Sequence, residues 1–427
     1  MAAQFSVEDG LRWKMPFFTI WSGQALSLLG SQLVQFALIW YLTVETGSAT
    51  VLATASMMGM LPSVVLGPFI GTLVDRWNRQ KVMILADSVI MLATVILAIL
   101  FALEVVVLWH IFVVLFFRSF AGGFHRYAMS ASTSLMVPVE HLTRIQGLNQ
   151  MLNGGLNVVS APLGAMLIEL LPLQGILAID VFTALVAVGP LFFLKVPQPE
   201  SIEQKSRQKQ NPASVWQEFR TGLKYMLGWP GLLFVGFMAI FLNFLLTPSF
   251  SLLPLLVKEY FQGDVLQLGW VNASFGIGVI LGGLILGAWG GFKRKIATTF
   301  MGLMGIGVGA LVMSFAPSTS ILWPIGASLL MGLMIPITNG PIHAVIQASV
   351  APDMQARVFS LLSSLAGGMA PIGLMIAGPV SDWLRIQTWF MIAGIVCFLM
   401  AVTGFLTPAA MNIEENRKAL KHASVNS

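Results

Sequence analysis

The ionisable residues Asp87, Arg118, His125 and Asp180 lie within long apolar runs, where an uncompensated charge is expensive. An arginine at membrane depth costs ~2.5–3.5 kcal/mol on insertion scales, so Arg118 must pair with a carboxylate or face water. Asp87 and Asp180 are candidate carboxylates inside such runs, while Glu104 and Glu169 read as outer-surface residues. Low dielectric moves a carboxylate's titration towards neutrality, as a group that loads and unloads protons requires. Histidine is the side chain that ordinarily titrates nearest physiological pH. These four are the candidate proton-coupling residues. A structural ion pair and a hydrogen-bonded packing histidine are the competing readings.

Uncharged polar residues form stripes at helical spacing. Gln24, Ser27, Ser31 and Gln35 follow one another at intervals of three, four and four, as do Gln146, Gln150, Asn153 and Asn157 with intervals of four, three and four. Such intervals keep each set on one helix face. A polar face in a membrane must meet another helix or water. Gln24, Ser27, Ser31, Gln35, Gln150, Asn153, Asn339 and His343 are therefore candidate cavity-lining residues. A third group, Asp75, Arg76, Arg79 and Lys81, sits in a turn between apolar runs, and Asp353 and Arg357 sit in another. Asp75 is suited to accept hydrogen bonds from a helix N-terminus near Arg357, where the helix dipole favours a negative charge. The six residues read as a cytoplasmic gate, against the alternative that the basic turns only orient helices.

Twelve apolar runs must position these groups. The chain of 427 residues is 56% hydrophobic and 10% charged, with mean hydropathy +0.83, whereas soluble domains carry about 25% charge. A span needs about 20 apolar residues. Spans are expected near 16–43, 49–74, 82–103, 107–130, 145–170, 174–195, 231–256, 266–289, 296–316, 320–346, 358–380 and 387–408. All Lys and Arg except Arg118, Lys258 and Arg385 fall on alternate connections or the termini. Basic loops stay cytoplasmic during insertion, which predicts cytoplasmic N- and C-termini and a multi-pass protein of the cell (inner) membrane. The net charge of +5 reflects that bias and calls for no nucleic-acid partner. One cysteine, Cys397, excludes an intramolecular disulfide.

The fold class predicted is an all-α membrane protein with two six-helix bundles. The bundles occupy 1–195 and 229–427, and 196–228 forms a cytoplasmic linker with a surface helix near Ser214–Leu227. The halves repeat each other. Gly67-x-x-x-Gly71 and Gly283-x-x-x-Gly287 each precede a basic turn, and Ala161-Pro162-Leu163-Gly164 parallels Ala370-Pro371-Ile372-Gly373. A parallel six-plus-six repeat is one architecture of secondary transporters. No Gly-x4-Gly-Lys-Ser/Thr phosphate loop occurs, so energy is expected from an ion gradient rather than a cofactor or nucleotide.

The stretch Gly71-x-Leu73-x-Asp75-Arg76-x-x-Arg79-x-Lys81 resembles the loop signature of the major facilitator superfamily. Thr19–Ala25, Arg118-Ser119-Phe120, Ala178–Val181 and Arg357–Leu361 resemble its macrolide-efflux type of drug exporter. The resemblance implies proton-driven export of a hydrophobic compound, a gate role for the loop and a proton-coupling role for Arg118. The expected partners are a small hydrophobic substrate and the bilayer, with the protein a monomer and not an enzyme. The alternatives are export of a siderophore or other natural product, and a non-transporting membrane sensor on the same fold.

Overall fold

The computed structural model describes residues 13–74, 77–194, 196–198 and 212–414. Helices α1 (Lys14–Thr46), α2 (Ala49–Val74), α3 (Arg79–Ala102), α4 (Leu108–Met136), α5 (Val139–Leu170) and α6 (Leu173–Phe193) come first. A shorter helix, α7 (Pro212–Leu227), precedes α8 (Pro230–Leu255), which continues as a π-helical turn over Leu256–Tyr260. Then follow α9 (Val265–Trp289), α10 (Lys295–Phe315), α11 (Leu322–Ser349), α12 (Pro352–Trp383), α13 (Ile386–Leu406) and the short α14 (Pro408–Met411). Among the described residues, 12 helices are long and apolar enough to cross a membrane. The protein is an all-α, multi-pass membrane protein.

Helix starts are written locally. Pro138 and Pro172 cap α5 and α6, and Pro230 and Pro352 open α8 and α12. Proline suits these positions because its missing N–H would have no intrahelical partner there. For that reason α5 and α12 begin well before the apolar runs expected at 145 and 358, and take the charged turns into their first turns. At α9, Asp264 accepts from the Gln267 N–H at 2.8 Å and Gln267 Oε1 accepts from the Asp264 N–H at 3.3 Å, a reciprocal cap. The same helix stops at Gly290, whose φ of 74° suits a residue without Cβ.

The chain divides into two units, Met1–Leu42 with Ala55–Lys209, and Thr43–Thr54 with Gln210–Ser427. The stretch over 43–54, expected within the first bundle, goes with the second unit. Asp382, at the end of α12, accepts from the N–H groups of Ala49 at 2.6 Å and Thr50 at 2.9 Å and from Ser48 Oγ at 3.0 Å. A carboxylate at a helix N-terminus satisfies free donors and complements the dipole. Gly378, one helical turn earlier on α12, lets the helices meet: a Cβ there would lie 2.8 Å from Thr50 Cα.

The first unit packs Phe17, Ile20, Ile70, Met83, Ala128 and Leu191 into its core. The second packs Trp229, Met238, Phe300, Ile306, Val345 and Val358. The helix α7, expected as a surface helix with Leu223 and Met226 on one face, exposes Arg220 and Lys224 and turns Met226 to the second core. Met226 is buried there, and its Cε lies 2.8 Å from where a Cβ on Gly236 would be. Close approach also needs the right glycines. On α9, Gly278 and Gly282 sit against backbone atoms of α11, whereas Gly283 and Gly287, the pair that marked the repeat, face open space. Small residues let membrane helices approach until backbones touch.

Candidate functional site

The intramembrane charges of the first unit gather at two places. On α6, Asp180 Oδ2 receives Arg118 Nη1 of α4 at 2.5 Å and Thr94 Oγ1 of α3 at 3.0 Å. Its Oδ1 receives Ser31 Oγ of α1 at 3.1 Å. Arg118 also donates to Thr94 Oγ1. Four helices thus meet on one carboxylate, which is 1% exposed. Gly30 makes room for it, since a Cβ there would lie 3.2 Å from both Asp180 Cα and Oδ1. The pairing satisfies the demand that an arginine at membrane depth find a counter-charge.

The second place lies on α3, where Asp87 Oδ2 accepts from Gln24 Nε2 of α1 at 3.2 Å. His125 Nδ1 of α4 approaches Asp87 Oδ1 to 2.8 Å. The two atoms are close, and the ring nitrogen has no aligned hydrogen bond. Buried ionisable groups need such partners.

The expected sites sort as follows. Asp87, Arg118, His125 and Asp180 all find partners, together with Gln24 and Ser31. Ser27 and Gln35 are half-buried on the same helix. Gln150 and Asn153 are exposed, as is the row Asn339, His343 and Gln347 on α11, where His343 stacks on Phe359 with ring centroids 5.6 Å apart. Exposed polar faces on spanning helices are stable only against water or other protein. Asp75 and Arg76 fall outside the described residues, as does the side chain of Asp353. Lys81 and Arg357 are exposed. Arg79, expected in the gate, turns inward instead: it opens α3, is buried, and its Nη1 donates to Ala131 O of α4 at 2.8 Å. That bond joins α3 to α4.

Two partners escaped the sequence reading. Thr94 lies seven residues after Asp87, the interval that also separates Gln24 from Ser31, so its register was visible. Asn149 accepts from Trp21 Nε1 at 2.7 Å and joins α5 to α1. It lies one position before Gln150 and had no signal of its own.

Twelve spanning helices among the described residues, with a charge network enclosed in the first unit, are the architecture of a multi-pass membrane protein. Two stretches, residues 20–257 and 232–426, match the family model described as Major Facilitator Superfamily. Macrolide efflux protein A of Streptococcus pyogenes is 35% identical over 391 residues, which cover 91% of this chain and 95% of that protein. The protein of the same name from Enterococcus faecalis is 34% identical over 329 residues, covering 77% of this chain and all of its own length. The crystal structure of the nucleoside transporter NupG has the same fold, with TM-score 0.62 at 15% identity, over 89% of this chain and 97% of that one. The chain belongs to the major facilitator superfamily, in its macrolide-efflux type.

Proposed function

We propose that this protein exports macrolide-like hydrophobic compounds from the cell by proton antiport, with two six-helix bundles exposing the substrate site to either side in turn. The observation that carries the reading is 35% identity to a macrolide efflux protein over nearly the whole length of both chains. The charge networks around Asp180 and Asp87 supply groups of the kind that proton coupling needs. One proton moving through ~100 mV supplies ~2.3 kcal/mol. At ~1.36 kcal/mol per tenfold, that sustains a roughly 50-fold gradient of a neutral solute.

In this reading both termini are cytoplasmic and the protein works as a monomer in the cell membrane. Asp75, Arg76, Arg79, Lys81, Asp353 and Arg357 are the groups of a cytoplasmic gate. Gln24, Ser27, Ser31 and Gln35 on α1, Gln150 and Asn153 on α5, and Asn339 and His343 on α11 are the candidate hydrogen-bonding groups for a substrate. The test is accumulation of a radiolabelled macrolide in cells that lack their own efflux pumps and express this protein. Lower accumulation, restored by a protonophore, is expected. Accumulation unchanged by expression rules out macrolide export.

A further inference from the structure

The buried polar groups of the first unit are stacked in two layers with a common register. Gln24 and Ser31 on α1, Asp87 and Thr94 on α3, and Arg118 and His125 on α4 are each seven residues apart. Two turns of helix separate the members of each pair by about 10.5 Å and leave them on nearly one face. One layer is Gln24, Asp87 and His125. The other is Ser31, Thr94 and Arg118 around Asp180.

The layers hold their carboxylates differently. Both oxygens of Asp180 are engaged by three side-chain donors, the group is 1% exposed, and the gap left at Gly30 is filled by it. Protonating Asp180 would strand a guanidinium that cannot give up its own proton. Asp87 has one amide donor and an imidazole that touches it without hydrogen-bond alignment. His125 keeps 12% of its side chain exposed. On the preceding turn of α4, Gly122 has no atom within 4 Å of where a Cβ would stand. A neutral imidazole nitrogen and a carboxylate oxygen are both proton acceptors, so at 2.8 Å the two can share one proton.

The other charged groups on the helices around this pair are few. Arg118 and Asp180 lie two turns away and neutralise each other. Arg79 lies two turns along α3 in the other direction and is bonded to Ala131 O, while Arg126 is exposed. Gln24 is a positioning residue, because it holds the Asp87 oxygen that His125 does not touch.

We infer that the Asp87–His125 pair is the proton-carrying site of the transport cycle, and that the Arg118–Asp180 pair is a fixed clamp. The inference rests on the antiport reading above. In each cycle one proton binds the pair from one side of the membrane, shared between Nδ1 and the carboxylate. The same proton leaves to the other side, so only N–H or O–H bonds are made and broken.

Purified protein in liposomes, with a macrolide as probe, tests the assignment. Three readouts are needed: macrolide-dependent proton movement, macrolide exchange at equilibrium, and the pH profile of exchange. Asp87→Asn and His125→Gln should each lose macrolide-dependent proton movement by tenfold or more yet still exchange macrolide. The pH profile of exchange in His125→Gln should differ from that of the wild type. Asp180→Asn should lower yield and rate, with the protons moved per macrolide kept. A wild-type proton-to-macrolide ratio in both Asp87→Asn and His125→Gln would overturn the assignment, as would loss of that ratio in Asp180→Asn alone. Wild-type protein that moves macrolide without protons would instead overturn the antiport reading on which the assignment rests.

Discussion

Neutralising one member of the Arg118–Asp180 pair should destabilise the protein far more than neutralising both. In Asp180→Asn the side chain keeps its size, and its one carbonyl oxygen can still accept from either Thr94 or Ser31, which lie 3.0 and 3.1 Å from different oxygens of the carboxylate. A larger replacement has no room, because a Cβ on Gly30 would already lie 3.2 Å from Oδ1. Arg118, 9% exposed, would be left as a buried charge without its partner. Removing one partner of a buried pair costs about 3–5 kcal/mol. Arg118→Met should cost a similar amount by stranding the carboxylate. In the double variant no unpaired charge remains, so its loss should fall several kcal/mol short of the sum of the two singles. For a body of this size each kcal/mol shifts melting by about 2–4 °C, so the singles should melt roughly 6–20 °C below wild type. Fluorescence-detected gel filtration of heated, detergent-solubilised protein reads this directly. Singles that melt with wild type, or a double variant whose loss equals the sum, would refute the view that the pair is a mutually dependent clamp.

Three further outcomes are expected. Gly282→Ala places a Cβ against the Leu333 backbone and should cost about 1–3 kcal/mol by overpacking, whereas Gly283→Ala, which meets nothing within 4 Å, should be neutral or better; equal melting of the two would contradict the packing of α9 on α11. Asp382→Ala removes the acceptor of two N–H groups and the Ser48 hydroxyl and should weaken the start of α2 by about 1 kcal/mol, seen as faster hydrogen exchange at Ala49 and Thr50; unchanged exchange there would dismiss the cap. Asp75→Asn should abolish export at normal expression, and wild-type export by that variant would remove the gate from the mechanism.

Most of the architecture was legible because hydropathy, prolines and basic turns are local signals. The twelve spans follow from them, and the early starts of α5 and α12 follow from Pro138 and Pro352 once proline's tolerance at helix starts is given its weight. The buried charges were legible as a class, since Asp87, Arg118, His125 and Asp180 stand out in apolar runs. Their pairing was not, because it depends on which faces of α1, α3, α4 and α6 turn together. The packing glycines illustrate the same limit. Gly278/Gly282 and Gly283/Gly287 have identical spacing, and only the position of α11 separates them. Arg79 looked like a loop charge, yet the start of α3 carries it inward to Ala131. The cap from Asp382 to Ala49 joins residues 333 apart, a separation that no local pattern encodes.

Proton-driven macrolide movement by the purified protein is the most direct test of the account. Liposomes containing the protein, given a proton gradient by dilution into buffer of different pH, should accumulate radiolabelled macrolide against its gradient, and a protonophore should abolish the accumulation. Accumulation that proceeds equally without a proton gradient, or none at all from active, monodisperse protein, would contradict it.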